Sequence, residues 1–97
     1  MKAAMIGAGS RGYYAYGSYA VRYPHEIQFI AIAEPNKEKR EKFAELHSIP
    51  EEMRFEDWSE LLSQNRLCEA VLICSPDRDH FNPVMKAIEK GYHILLE

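Results

Sequence analysis

Gly7-Ala8-Gly9-Ser10-Arg11-Gly12 follows directly on an apolar run, Ala3-Ala4-Met5-Ile6, and opens a stretch with helical character. A G-x-G-x-x-G turn between a strand and a helix leaves few folds open. The first glycine permits a tight turn. The second lets the backbone approach a pyrophosphate, and the third lets the helix pack close to the strand. The helix N-terminus adds unpaired N–H groups and a partial positive charge, worth roughly 0.3–2 kcal/mol towards an anion. Gly7, Gly9, Ser10, Arg11 and Gly12 are thus candidate pyrophosphate ligands. A glycine-rich turn also serves as a plain turn, and its place after an apolar strand is what favours the dinucleotide reading.

Strand-like and helix-like segments alternate along the rest of the chain. Lys2–Ile6 reads as a first strand. A helix from Arg11 to about Arg22 ends at Tyr23-Pro24, because proline disfavours helix at the residue before it. Ile27–Ala33 is a nearly continuous apolar strand. Asn36 reads as the N-cap of a helix to about His47 that buries Phe43, Ala44 and Leu46. Met53–Phe55 reads as a short edge strand. Asp57-Trp58-Ser59-Glu60 has the spacing of a capping box and opens a brief helix to about Ser63. Ala70–Cys74 reads as a further strand. A helix from about Asp79 to Lys90 carries Pro83 in its first turn and stops at Gly91. Tyr92–Leu96 reads as the last strand. Apolar strands joined by helices predict a parallel sheet covered on both faces. Right-handed crossovers then give a doubly wound α/β, Rossmann-like fold of about five strands in the order 3-2-1-4-5.

Glu34 closes the second strand 22 residues after Gly12, where a carboxylate can accept hydrogen bonds from an adenosine ribose. A carboxylate there repels a 2′-phosphate, so NAD is expected over NADP. The bland alternative is a surface glutamate at a strand end. Lys37, Lys39 and Arg40 stand nearby and could soften the selectivity, although the charge run from Lys37 to Lys42 reads first as a solvated helix face.

Ninety-seven residues make one domain or part of one, burying roughly 65% of the unfolded surface. The formal net charge of −3 argues against a nucleic-acid partner. No run approaches the ~20 apolar residues of a membrane span, and a cytoplasmic protein is expected. Cys68 and Cys74 lack metal-ligand spacing and read as reduced thiols. Tyr13, Tyr14, Tyr16, Tyr19 and Tyr23 read as packing residues with hydroxyls at the rim, and His25, His47 and His93 as surface or packing residues.

Several segments together narrow the reading. They are the glycine turn, Ala33-Glu34-Pro35, Phe55-Glu56-Asp57-Trp58, the Ser-Pro-x-x-x-His loop from Ser75 to His80, and Gly91-Tyr92-His93-Ile94-Leu95-Leu96-Glu97. In this ordered set the whole chain resembles the Gfo/Idh/MocA family, which includes glucose–fructose oxidoreductase and inositol dehydrogenase. The resemblance implies that Cys74, Ser75, Pro76 and His80 line the nicotinamide half of the cofactor, and that Glu97 also belongs to the cofactor site. His80 is expected to contact the cofactor or cap a helix rather than transfer a proton. Cys74 is expected to be a small buried thiol rather than a nucleophile, since no base with suitable spacing activates it.

In the family the last strand leads into Glu-Lys-Pro, whose lysine assists proton transfer, and a second α/β domain supplies the substrate pocket. The present sequence stops at Glu97. The resemblance therefore implies a fragment, residues 1–97 being the dinucleotide-binding domain, inactive without the substrate domain. It also implies that a small-molecule substrate is a partner only of the full-length protein. The outer edge of the last strand invites self-association. The parent is expected to be an oxidoreductase for a sugar, polyol or related hydroxyl compound. The alternatives are an NAD-using glycosidase and a non-catalytic nucleotide-binding or sensor module. A methyltransferase fits the Ser-Pro loop and the last strand less well.

Overall fold

The computed structural model of the chain describes residues 1–7, 21–23, 25–64, 67–74 and 81–96. Its strands are β1 (Lys2–Ile6), β2 (Gln28–Ala33), β3 (Arg54–Phe55), β4 (Ala70–Ile73) and β5 (His93–Leu96). Its helices are α1 (Lys37–Leu46), α2 (Trp58–Ser63) and α3 (Phe81–Glu89), with a short 3-10 turn at Glu51–Met53. The strands form one parallel sheet in the order β3-β2-β1-β4-β5, as the alternation of segments predicted. Val21 and Arg22 are helical and Tyr23 leaves the helix, while the rest of the predicted first helix, with Tyr13, Tyr14, Tyr16, Tyr19 and Pro24, lies outside the described residues.

Two apolar layers enclose the sheet. Ala3, Met5, Phe29, Ile32, Ala70 and Leu72 face α1 and pack with Phe43, Ala44 and Ile49. Ala4, Ile6, Ala31, Ala33, Val71 and Ile73 face the other way and pack with Leu61, Leu62, Ala87 and Tyr92. Strict alternation in β2 would put Phe29 and Ile32 on opposite faces. They share one because the pairing with β1 slips by a residue: Ala3 sits opposite Phe29, but Ala4 sits opposite Ala31. Ile30 is the extra residue of this bulge. The continuous apolar spelling of β2 hides that slip.

The helix ends account for other departures from expectation. Asn36 caps α1 as predicted, its side chain accepting the Lys39 N–H at 3.0 Å. Asp57 precedes α2, but its carboxylate takes the Ser59 hydroxyl and makes no bond to the helix N–H groups, so the capping box does not form. Leu46 is exposed, and Arg40 takes the buried place expected of it on α1. α3 ends as the sequence predicts: Gly91 has φ 81°, its N–H reaching Ile88 O at 3.0 Å and the Tyr92 N–H reaching Ala87 O at 3.1 Å. α1 ends the same way with a serine in the glycine position. Ser48 has φ 54°, Ser48 N–H donates to Glu45 O at 3.3 Å and Ile49 N–H to Ala44 O at 2.9 Å. Among the described residues no helix is long and apolar enough to cross a membrane.

At that end of α1 the His47 ring lies 4.4 Å from Phe43 and 5.2 Å from Phe29, centroid to centroid. Its Nε2 is buried with no hydrogen-bond partner, and burial lowers its pKa below the usual 6.5. Below pH 6.5 the unfolded chain takes up a proton that the folded chain resists, so stability must fall with pH. Thermal unfolding at pH 7.5 and 5.5 should show a smaller loss in His47→Leu than in the parent chain; equal losses would contradict this. Ser48→Gly should relieve the left-handed backbone and stabilise the fold by about 0.5–1 kcal/mol in urea denaturation. A destabilised Ser48→Gly would contradict the assignment of that turn.

Candidate functional site

The five strands end on one line. Phe55, Ala33, Ile6, Ile73 and Leu96, the last residues of β3, β2, β1, β4 and β5, lie opposite one another in sheet order. The residue after each of three strands extends the ladder by one bond. Gly7 N–H donates to Ala33 O at 2.8 Å, Glu34 N–H to Phe55 O at 3.0 Å and Cys74 N–H to Ile6 O at 2.8 Å. Gly7, Glu34 and Cys74, three residues far apart in sequence, are thereby fixed side by side along one edge. The order in which strands are laid down reverses there: β2 and β3 extend the sheet outward from β1 on one side, and β4 and β5 on the other. The crevice at such a switch point, outside the carboxyl ends of the strands, is where open α/β sheets bind ligands.

Gly7 is buried with φ 89°, a conformation that a Cβ would strain. Cys74 is half-buried and keeps its thiol, with no disulfide. Glu34 is 9% exposed, and its Oε2 accepts the Asn36 N–H at 2.8 Å. Arg40, also 9% exposed, reaches back from α1 so that its Nη1 donates to Glu34 O at 2.8 Å. These are the two buried charged side chains among the described residues. The solvated-face reading of Arg40 is thus corrected, whereas Lys37 and Lys39 are exposed as expected. An arginine one turn inside the helix that follows the acidic strand end was the available signal, obscured by the charge run around it. Gly9, Ser10, Arg11, Gly12, Ser75, Pro76, His80 and Glu97 lie outside the described residues.

A cavity of about 410 Å³ lies at the opposite end of the sheet, lined by Gln28, Phe29, His47, Ser48, Pro50 and Met53 among others. It touches none of the predicted site residues. The length of β1 places the two ends roughly 15 Å apart.

Strand order, parallel direction and switch point together define a Rossmann-like domain. The chain belongs to the Gfo/Idh/MocA oxidoreductase family: the family model described as "Oxidoreductase family, NAD-binding Rossmann fold" matches residues 1–97. No curated protein matches the sequence. Among solved structures, a myo-inositol dehydrogenase from Corynebacterium glutamicum superimposes with a TM-score of 0.83 at 22% identity, over 99% of this chain and 27% of that one. The WlbA dehydrogenase from Bordetella pertussis, in complex with NADH and UDP-GlcNAcA, gives 0.84 at 14% identity, over 99% and 28%. A 3-ketoreductase from Actinomadura kijaniata, in complex with TDP-benzene and NADP, gives 0.82 at 20% identity, over 99% and 29%. These likenesses establish the fold. The chain spans under a third of the length of each of these relatives.

Gly7→Ala tests the geometry of this edge directly. It should cost about 1–3 kcal/mol in urea denaturation, because the backbone at that position is one that a Cβ opposes. A change below about 0.5 kcal/mol, the size of an ordinary surface substitution, would contradict the strained turn.

Proposed function

We propose that the carboxyl edge of the sheet holds a nicotinamide dinucleotide in extended form, with NAD preferred over NADP. Gly7, Gly9, Ser10, Arg11 and Gly12 hold the pyrophosphate, Glu34 accepts from the adenosine ribose, Cys74, Ser75, Pro76 and His80 line the nicotinamide side, and Glu97 is a further cofactor-binding residue. The observation that carries this reading is the alignment of Gly7, Glu34 and Cys74 at the switch point. Membership of a family whose domain is NAD-binding supports it.

The chemistry assigned to the chain is binding and orientation. Backbone N–H groups at the glycine turn neutralise phosphate charge without a lysine. The Glu34 carboxylate fixes the ribose and repels a 2′-phosphate. The loop after β4 holds the ring whose hydride chemistry the cofactor itself supplies. Selecting a substrate and moving its proton need further groups, so we assign this chain the cofactor half of a larger oxidoreductase. The relatives' greater length supports that division. Its substrate is proposed to be a sugar, polyol or related hydroxyl compound, in keeping with the myo-inositol dehydrogenase and the UDP-GlcNAcA-bound dehydrogenase of the same fold. We place the protein in the cytoplasm, where Cys68 and Cys74 stay reduced. The outer edge of β5 is the place for pairing with a second copy.

Calorimetric titration of NAD, NADP and S-adenosylmethionine into the chain tests the reading. NAD should bind most tightly, and Glu34→Ala should weaken NAD about 10-fold while narrowing the gap to NADP, as expected for the loss of a charged hydrogen bond. Preference for S-adenosylmethionine, or no NAD binding by folded protein, would overturn the cofactor assignment. Unchanged affinity in Glu34→Ala would remove the ribose role.

A further inference from the structure

We propose that Arg40 is a positioning residue that sets the Glu34 carboxylate for the ribose, an inference resting on the ribose reading above. Burying a guanidinium is costly unless its donors are engaged, and helix α1 offers solvent on its other faces. Arg40 is nevertheless turned inward, its Nη1 2.8 Å from the carbonyl oxygen of Glu34, six residues earlier. That bond holds the peptide leaving β2. On the same residue, Oε2 takes the Asn36 N–H at 2.8 Å, and the Asn36 side chain takes the Lys39 N–H at 3.0 Å. Main chain and side chain of Glu34 are therefore both tied to the first turn and a half of α1.

The guanidinium is held in turn from outside. Glu41 Oε2 lies 3.8 Å from Arg40 Nε, and Glu41 Oε1 pairs with Arg54 Nη1 at 2.9 Å. Arg54 Nε donates to Ile49 O at 2.8 Å, anchoring the series to the turn after α1. The connected groups run from the end of β2 through α1 to β3. A carboxylate that must meet two ribose hydroxyls gains from such support, because a side chain held by its neighbours loses less freedom on binding. Arg40 thus acts through Glu34 and not as a phosphate ligand of its own.

A double-mutant cycle read by NAD titration separates this role from plain stabilisation. Arg40→Met should weaken NAD about 10-fold in the parent chain, the usual scale for loss of a supporting group. In the Glu34→Ala background it should change affinity less than about 2-fold, since the residue it positions has gone. Arg40→Lys, which keeps a cation and N–H donors, should stay within about 3-fold of the parent. Should Arg40→Met not fold, Arg40→Gln is the milder truncation, and the same pattern is expected of it. Equal losses in both backgrounds, or no loss in either, would overturn the positioning role while leaving the ribose reading intact. Absence of NAD binding by the parent chain, or an unaffected Glu34→Ala, would instead fell the ribose reading and this inference with it.

Discussion

Backbone hydrogen bonds at the carboxyl ends of the strands hold the site together. An unpaired N–H buried at the edge of a sheet costs about 1–3 kcal/mol, so the first residue beyond each strand has strong reason to bond to its neighbour. Glu34, Gly7 and Cys74 do so, with Phe55, Ala33 and Ile6 as their acceptors, and the three bonds cross the sheet from β3 to β4. Each bond fixes the residue at which the chain leaves its strand. The positions of Gly7, Glu34 and Cys74 along one edge of the sheet follow from main-chain geometry, before any side chain is considered.

Side-chain burial then decides how firmly that edge is held. β1 and β4 are apolar and buried on both faces, which places them at the centre of the sheet. The two buried charges, Glu34 and Arg40, sit at the boundary where this apolar centre meets the open edge. Their burial is tolerated because the carbonyl oxygen of Glu34 accepts from the Arg40 guanidinium and its carboxylate accepts from the N–H of Asn36, the cap residue of α1. The opposite end of the sheet is organised differently. Phe29, Phe43 and His47 form an aromatic cluster there, with the His47 Nε2 buried and without a hydrogen-bond partner.

Strand order and the existence of each described strand and α-helix were legible in the sequence because period and punctuation agreed, whereas the 3-10 turn at Glu51–Met53, which takes Met53 out of the expected edge strand, was not. Gly91 stopped α3, Asn36 started α1, and the Ala70–Ile73 run could only be a buried strand. Details that depend on competition between partners were not. The bulge at Ile30 leaves an apolar spelling unchanged. Asp57 had two donors within reach and took the Ser59 hydroxyl over the helix. Arg40 carries the same letter whether it faces water or Glu34, and only the packing of α1 on β2 turns it inward. Gly7, Glu34 and Cys74 each directly follow a strand whose position the alternation already determined.

Amide chemical shifts measured while NADH is added to isotopically labelled chain test the central claim most directly. The largest shifts should fall at Gly7, Glu34, Asn36 and Cys74, along the carboxyl edge, with His47 and Ser48 at the other end unmoved. Shifts centred on Gln28, His47 and Ser48, or spread evenly over both ends, would contradict it.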